Sequence, residues 1–409
     1  MRVLILSQYF WPESFQINDV VTSLVQKGIE VEVLTGKPNY PSGEIFSGYR
    51  ARGCNRETHG GVPIHRIPLV ARGSGGWRLA LNYASFVLSG LLFAPVMLRK
   101  QRFDAVLVYA PSPILQTIPA LFVARRKGCP LVLWIQDLWP ESLSATGYVT
   151  SRALLAMVRT VVAFIYRRSD LLLVQSRAFE KPVRALVQGT PIVYHPNSVD
   201  EVFALPPKGE LPAITGLDQG FSVLFAGNIG SAQAVETIVE AALRLKKYPD
   251  IHLVVLGEGS RRQWMLRQVR AHKIDNLYLP GSFPVETMPG LMQKASALLV
   301  TLADREIFSA TVPSKLQAYL AAGRPILACL NGEGAKLVDA AGAGLSVSAE
   351  NGPALARAIV DLYQMSPQER EIMGARGRSY YRQYFAHDML VQRLIEHLRS
   401  VGPRRKALG

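Results

Sequence analysis

Short apolar runs alternate with longer amphipathic segments along the first half of the chain. This is the pattern of strands that are buried on both faces and separated by helices. The predicted strands cover residues 3–7, 31–35, 64–69, 105–109, 131–135, 171–174 and 192–194, and predicted helices include 15–27, 151–168 and 176–188. The alternation predicts a doubly wound parallel α/β domain.

Residues 206–220 lose this periodicity and gather proline, glycine and polar residues, as linkers between domains do. A second series of apolar strands follows, at residues 221–226, 251–256, 277–280, 297–302, 326–330 and 344–347. We therefore predict two Rossmann-like, doubly wound domains facing across a cleft, over 1–205 and 221–385. Residues 386–409 are predicted to form a C-terminal helix and a basic tail.

The charge of the chain is strongly positive and unevenly distributed. The formal net charge is +15, and residues 1–200 hold 22 Lys and Arg against 12 Asp and Glu. A basic first half is compatible with nucleic acid, anionic lipid or phosphorylated substrates. One segment favours lipid, because residues 79–98 carry no charge and are flanked by arginines and a lysine.

Residues 79–98 are long enough to span a bilayer, but polar residues and Pro95 dilute them, and α/β units both precede and follow them. We interpret the segment as a helix lying in the membrane interface, with a helix buried against the sheet as the alternative. No secretory signal precedes the first strand, and three widely spaced cysteines match no metal-ligand pattern. A reducing cytoplasm and no metal site are expected.

Three segments of the second domain are typical of ligand-binding strand ends. Gly227-Asn228-Ile229-Gly230, followed by Gln233, comes after the first strand, and Gly257-Glu258-Gly259-Ser260-Arg261 comes after the second. Thr311-Val312-Pro313-Ser314-Lys315-Leu316 opens a short helix, where we expect Ser314 to cap free amides and Lys315 to add charge beside the helix dipole. Together they predict a cradle for a nucleotide diphosphate.

Neither the GxGxxG dinucleotide pattern nor a Walker lysine motif is present, which argues against NAD-dependent redox chemistry and ATP hydrolysis. The first strand instead leads to Glu13, and a later one leads to Asp137 and Glu141 beside Trp139. These carboxylates are candidates for binding hydroxyls, although acids that complement a helix dipole are an alternative for Asp137 and Glu141. Trp139 fits a sugar-stacking platform or the core equally well.

With these motifs in order, the chain resembles a GT-B glycosyltransferase of the large retaining family 4. Within that family it resembles the bacterial fucosyl or N-acetylfucosaminyl transferases of capsule, O-antigen (lipopolysaccharide) and colanic acid (exopolysaccharide) synthesis. The resemblance spans nearly the whole chain. It rests on Tyr9-Phe10-Trp11-Pro12-Glu13, Asn39-Tyr40-Pro41, Gln136-Asp137-Leu138-Trp139-Pro140-Glu141-Ser142, Pro196-Asn197-Ser198-Val199-Asp200, Gly227-Asn228-Ile229-Gly230 with Gln233, and Val312-Pro313-Ser314-Lys315-Leu316.

The chain departs from this family at four positions. The glutamates of the usual Glu-x7-Glu pair fall at Ala310 and Ala318, and the usual arginine and lysine of the diphosphate site align with Asn228 and Gln233. The donor is therefore expected to be held by Ser314, Lys315, the glycine turns and Arg261.

The resemblance implies a UDP- or GDP-linked hexose bound by the second domain and a saccharide or polyprenyl-diphosphate-linked acceptor bound by the first. It implies that Lys315 and backbone amides stabilise the leaving diphosphate, which itself helps to deprotonate the attacking hydroxyl on the same face. Asp137 and Glu13 would orient sugar and acceptor. No metal ion and no nucleic acid are expected, and the protein is expected in the cytoplasm, peripheral on the inner face of the plasma membrane.

Two other functions remain compatible with the sequence. A non-hydrolysing sugar-nucleotide 2-epimerase shares the two-domain architecture but needs no membrane patch. An inactive membrane-associated scaffold would account for alanine at both glutamate positions, Ala310 and Ala318. Binding of nucleotide diphosphates separates the scaffold from the two enzymes.

Overall fold

The computed structural model of the protein describes residues 1–73, 75–145, 151–206 and 209–402. The chain divides into two compact units. The first unit comprises Met1–Pro196 and Asp388–Gly409, and the second comprises Asn197–His387. Each unit contains one sheet covered by helices.

The sheet of the first unit has eight strands. They are β1 (Arg2–Leu6), β2 (Glu30–Thr35), β3 (Asn55–His59), β4 (Val62–Arg66), β5 (Ala105–Ala110), β6 (Leu131–Ile135), β7 (Leu171–Val174) and β8 (Ile192–Tyr194). They pair in the order β3-β4-β2-β1-β5-β6-β7-β8, and only the β3–β4 pairing is antiparallel. The apolar pattern does not predict β3, because this edge strand is polar and largely exposed.

The helices of the first unit are α1 (Ile17–Gln26), α2 (Gly76–Met97), α3 (Thr117–Lys127), α4 (Glu141–Ala145), α5 (Arg152–Arg168) and α6 (Glu180–Arg184). Helix α2 packs closely on α3. A Cβ atom at Gly90 would lie only 2.6 Å from Cβ of Pro119, so the glycine allows the two helices to approach. Four cis X-Pro bonds follow β1, β2, β5 and β6, at Pro12, Pro41, Pro113 and Pro140.

The second unit has a six-stranded, wholly parallel sheet. Its strands are β9 (Phe221–Ala226), β10 (Ile251–Leu256), β11 (Leu277–Gly281), β12 (Ala297–Thr301), β13 (Ile326–Cys329) and β14 (Gly344–Val347), in the order β11-β10-β9-β12-β13-β14. Its helices are α7 (Val235–Leu245), α8 (Arg262–Ala271), α9 (Met288–Lys294), α10 (Glu306–Ala310), α11 (Ser314–Ala322), α12 (Glu333–Ala341), α13 (Gly352–Gln364) and α14 (Pro367–Tyr384).

The boundary between the units lies at Pro196, earlier than the predicted linker at 206–220. Residues just after Pro196 bind the second unit through their backbone. The Tyr381 hydroxyl donates to the carbonyl of Val199 (3.1 Å), and Nε2 of Gln293 donates to that of Leu205 (2.6 Å). Loss of apolar periodicity therefore marks an irregular segment of the second unit and not the point of division.

The last helix, α15 (His387–Ser400), belongs to the first unit from Asp388 onward. Its buried side chains recur at helical spacing, at Leu390, Val391, Leu394, Ile395 and Leu398. Four of them join the core cluster that contains β1 and β2 residues. The second crossing between units lies after His387, the first residue of α15, so the C-terminal helix completes the core of the N-terminal unit.

Leu394→Ala is expected to lower the free energy of unfolding of the first unit by about 2–5 kcal/mol, because it removes a 1% exposed side chain from the core. Gln392→Ala, on the exposed face of the same helix, is the control and should change it by less than about 0.5 kcal/mol. Urea unfolding followed by tryptophan fluorescence measures this, since all tryptophans except Trp264 lie in the first unit. Equal effects of the two variants would contradict the packing of α15.

Candidate functional site

The turns after three neighbouring strands of the second sheet are joined by backbone hydrogen bonds. The amide of Gly227, after β9, donates to the carbonyl of Leu256 (2.9 Å), and the amide of Gly257, after β10, donates to that of Gly281 (2.9 Å). The glycine turns thus form one continuous rim at the carboxyl edge of the sheet. Open α/β sheets bind their ligands at this edge.

Glycine is required in this rim because backbone segments touch there. A Cβ atom at Gly257 (φ +134°) would lie 1.9 Å from the carbonyl oxygen of Gly227. A Cβ at Gly259 (φ +154°) would lie 2.3 Å from the carbonyl oxygen of Ile229. No other residue fits either position, so the close approach predicted from the glycine pattern is present.

Lys315 extends from the first turn of α11 to the glycine rim. Its Nζ lies 3.7 Å from the ring centre of Phe225 in β9, and a Cβ at Gly227 would lie 3.0 Å from Nζ. Within the described parts of the chain, this buried ammonium has no hydrogen-bond partner. A buried cation without an anion is costly, so the position is poised to receive a negatively charged group.

Burial lowers the pKa of Lys315 to about 7. Near neutral pH the unliganded side chain is therefore a mixture of ammonium and amine. An anion placed beside Nζ would favour the ammonium and raise its pKa again. The charge of Lys315 is consequently coupled to anion binding.

The side chains of Asn228 and Gln233 shape the first glycine turn. Oε1 of Gln233 accepts from the amide of Gly230 (3.1 Å) and from Nδ2 of Asn228 (3.3 Å). The predicted donor residues Gly227, Asn228, Gly230 and Gln233 therefore lie together. The two polar side chains stabilise the turn that presents the backbone.

Arg261, predicted to bind the donor, is engaged with protein groups. Its guanidinium pairs with Glu236 of α7 and lies 4.8 Å from the ring of Trp264. The amide of Arg261 donates to the carbonyl of Ile229 (2.9 Å), which joins the start of α8 to the glycine rim. Its contribution to the rim in this structure is thus through the backbone.

The segment Thr311-Val312-Pro313-Ser314-Lys315-Leu316 contributes chiefly through Lys315. Val312 and Leu316 lie in the core of the second unit, and the hydroxyl of Thr311 donates to the carbonyl of Ile307. The prediction that Ser314 caps the helix is wrong: Pro313 occupies the N-cap position and Ser314 is the first helical residue, without a side-chain cap. A cap must precede the helix, and Ser314 already lies inside it.

Ala310 and Ala318, where the resemblance leads us to expect glutamates, have different surroundings. Ala318 is 6% exposed and packs in the core of the second unit, while Ala310 ends α10. A carboxylate at 318 would enter an apolar cluster in this chain. At position 318, an alanine packed in the core therefore stands in place of the expected glutamate. Lys315 is the charged side chain that reaches the rim from α11.

Glu13, in the first unit, is buried and binds backbone amides. Its Oε1 accepts from Asn39 (2.8 Å) and Tyr40 (2.7 Å), and its Oε2 accepts from Phe10 (3.2 Å). Burial raises the pKa of Glu13, although the amides oppose the shift. The carboxylate thus joins the loop after β1 to the loop after β2, and its lone pairs are largely used inside the protein.

Asp137 follows β6 at the carboxyl edge of the first sheet. Burial raises its pKa to about 6, so it takes up and releases a proton near neutral pH. Trp139 is 4% exposed with its ring 6.3 Å from that of Tyr83, which places it in the core and excludes a stacking platform on the surface. Between Glu13 and Asp137, Asp137 is the better suited to proton transfer.

Arg66, which the sequence analysis missed, organises the same edge. It is fully buried, donates to the carbonyl of Gly36 (3.0 Å) and to that of Trp11, and pairs with Glu57 of β3. An arginine at the end of β4, a strand in which four of five residues are buried, is the signal that indicates such a clamp. With Glu13 it fixes the loops that follow β1 and β2.

His195 lies at 1% exposure beneath α15, with its ring 4.9 Å from Trp134 and 5.4 Å from His397. Burial lowers its pKa to about 3, so it stays neutral. It packs in the first unit.

Within the described ranges, no group of three or more His, Cys, Asp or Glu side chains has a metal-binding arrangement.

Two family models match consecutive parts of the chain. A glycosyl transferase 4-like domain matches residues 15–198, and a glycosyl transferases group 1 domain matches residues 220–365. The first match lies almost wholly within the first unit and the second lies within the second unit. Together they cover most of the chain.

Individual proteins agree with these matches. The chain is 25% identical over 352 residues to a protein of Escherichia coli K12 named "Putative colanic acid biosynthesis glycosyl transferase WcaI", covering 79% of this chain and 82% of the relative. Sucrose-phosphate synthase from Thermosynechococcus elongatus superposes with a TM-score of 0.75 at 16% identity, covering 97% and 98% of the two chains. Anabaena HepE in complex with UDP-glucose superposes with a TM-score of 0.68 at 13% identity, covering 98% and 100%.

These findings confirm the predicted fold class, an α/β protein of two Rossmann-like domains, and they support a glycosyltransferase without identifying the hexosyltransferase subclass. They do not distinguish the predicted fucosyl or N-acetylfucosaminyl branch from other glycosyltransferases. The chain thus contains a glycosyl transferase 4-like domain followed by a glycosyl transferases group 1 domain, and its fold matches that of GT-B glycosyltransferase structures.

Proposed function

We propose that the protein is a retaining hexosyltransferase that uses a UDP- or GDP-linked sugar of the fucose or N-acetylfucosamine type. The acceptor is a saccharide or a polyprenyl-diphosphate-linked sugar in the synthesis of a bacterial surface polysaccharide, such as O-antigen or an exopolysaccharide. The reaction takes place at the cytoplasmic face of the inner membrane, without a metal ion. The name of the E. coli relative supports the pathway class, and the HepE complex supports a nucleotide-sugar donor.

The observation that carries this proposal is the buried, unpaired ammonium of Lys315 at the glycine rim. A diphosphate is the charged part of a nucleotide sugar, and it fits a site that combines backbone amides with one cation. Gly227 and Gly257 allow the diphosphate to approach the backbone without a side chain between them. The donor therefore belongs to the second unit.

Lys315 contributes to catalysis by stabilising charge on the leaving diphosphate. As the glycosidic bond breaks, negative charge grows on the oxygen of the distal phosphate, and a cation in a desolvated site stabilises it more than water would. In a retaining transfer without a protein nucleophile, the departing phosphate accepts the proton of the attacking hydroxyl on the same face. Lys315 would hold that phosphate in place through both events.

The first unit provides the acceptor-side groups of the proposal. Asp137, with a pKa near 6, orients an acceptor hydroxyl and can share its proton. Glu13 acts as a positioning residue, since its carboxylate already binds the amides of Phe10, Asn39 and Tyr40. Its role is to hold the loop that bears Tyr40.

Lys315→Met is expected to lower turnover by about tenfold to a thousandfold, because the leaving diphosphate loses its cation. The dissociation constant for the nucleoside diphosphate should rise by about 10- to 100-fold. The same change should raise the melting temperature of the unliganded protein, because it removes a buried unpaired charge. Thermal-shift titrations with UDP, GDP, dTDP, ADP and CMP measure the dissociation constant and the melting temperature, and they identify the base.

The control for this experiment is Lys247→Met. Lys247 also lies over an aromatic ring of the second unit, 5.3 Å from the centre of Tyr248, but it is exposed. This variant should bind the nucleotide as the unaltered protein does. If no nucleotide shifts the melting temperature of the unaltered protein, the scaffold replaces the transferase.

Nucleoside diphosphate affinity should fall as the pH rises above about 7, by up to about tenfold per pH unit, because binding must add a proton to Lys315. The stability of the unliganded protein depends on pH with the opposite sign, because the free energy of unfolding rises with pH. The lowered pKa makes the charge of Lys315 destabilising below about pH 7, and this cost fades between pH 7 and the ordinary lysine pKa. Titration calorimetry with UDP or GDP between pH 7 and 9 measures the affinity, and Lys315→Met should abolish its dependence on pH.

A further inference from the structure

Exposed apolar side chains of the protein concentrate on three helices of the first unit. Of the eighteen large apolar side chains exposed in the described ranges, ten lie on α2, α3 and α5. The most exposed on α2 are Trp77 (68%), Leu92 (67%) and Val96 (66%), and α5 contributes Met157 (58%) and Phe164 (50%). A surface this rich in apolar groups marks an interaction site.

The three helices form one continuous face. Gly90 brings α2 against Pro119 of α3, as described above. A groove of about 290 Å³ lies between Leu91 of α2, Phe122 of α3 and Phe164 of α5, and Arg125 and Arg168 also line it. We call α2, α3 and α5 with this groove the three-helix face.

The charge of the three-helix face has a single sign. The sequences of α2, α3 and α5 contain no aspartate or glutamate, whereas the last turns of α3 and α5 carry Arg125, Arg126, Lys127, Arg167 and Arg168. An anionic surface complements this pattern. A second copy of the same face would bring two sets of cations together, so self-association is disfavoured.

By length and composition alone, helix α2 is long and apolar enough to cross a membrane. Its inner side is anchored in the protein. Asn82 accepts from Nε2 of Gln8 (2.7 Å) and donates to the carbonyl of Val70 (2.6 Å), and Phe86 is fully buried. Inserting α2 across a bilayer would break these contacts, whereas binding parallel to the surface keeps them.

We propose that the three-helix face docks on a bilayer that contains anionic phospholipids. The apolar side chains of α2, α3 and α5 enter the interface, an acyl chain occupies the groove, and Arg125 and Arg168 meet lipid phosphates. The role of α5 goes beyond the single helix predicted from the sequence. The inference rests on the proposed function only for the statement that the membrane also carries the acceptor.

Flotation of the full-length protein with phosphatidylcholine vesicles, with and without phosphatidylglycerol, tests this docking. The protein should float with the anionic vesicles, and added salt should weaken the binding. The double variant Met157→Glu and Phe164→Glu, which changes only α5, should reduce partitioning by about a hundredfold. Val285→Glu with Ile372→Glu is the matched control, since these exposed apolar residues (72% and 53%) lie in the second unit.

Three results would overturn the proposal. The first is absence of the protein from the anionic-vesicle fraction, and the second is binding of the α5 variant equal to that of the unaltered protein. The third is a dimer, detected by light scattering, that the α5 variant disrupts, which makes a second copy the occupant. Nucleoside diphosphate binding is measured on every variant, because the donor site lies in the second unit. Retained nucleotide binding shows that the second unit is intact, and unchanged tryptophan fluorescence shows that the first unit is folded, since all tryptophans except Trp264 lie there. Loss of vesicle binding alone then leaves the transferase proposal intact.

Discussion

The contact between Gly257 and the carbonyl of Gly227 determines the geometry of the glycine rim in the second unit. Because no Cβ intervenes, the turns after β9 and β10 lie against each other and expose their backbone at one edge of the sheet. The same lack of a side chain at Gly227 leaves the space that Lys315 occupies. Backbone approach and the burial of the Lys315 side chain are thus two results of one steric condition.

The first unit reaches a similar result with buried polar side chains. Glu13 and Arg66 fix the loops after β1 and β2 through backbone groups, and Asn82 joins α2 to the same region. Each of these groups is costly to bury alone, and each is satisfied by several partners. Rigid loops at a strand edge can then hold Asp137 and its neighbours in a defined arrangement while one face of the unit stays apolar.

The strands were largely predictable because central parallel strands are buried on both faces and read as uninterrupted Val, Ile and Leu runs. Strand β3 was not, because an edge strand with mostly exposed residues has no such run. The position of Lys315 at the opening of α11 was predictable from its place after Pro313 and Ser314. Its lack of a partner was not, since Phe225 and Gly227 are about ninety residues away in sequence and adjacent only in the fold.

The roles of Glu13 and α5 were hidden for the same reason. The amides that bind Glu13 belong partly to Asn39 and Tyr40, and nothing local to residue 13 indicates them. The uncharged run of α2 marks that helix as unusual, but α5 is an ordinary basic amphipathic helix in sequence. Only its position beside α3 extends the apolar face.

The return of α15 to the first unit has a consequence for synthesis on the ribosome. The N-terminal unit lacks Val391, Leu394, Ile395 and Leu398 of its core until nearly the whole chain has been made. At about 5–20 residues per second, translating Asn197–His387 takes about 10–40 s. Tyr381 and Phe385, the last core residues of the second unit, are made before these four, so the first unit to be started is the last whose core residues are all present.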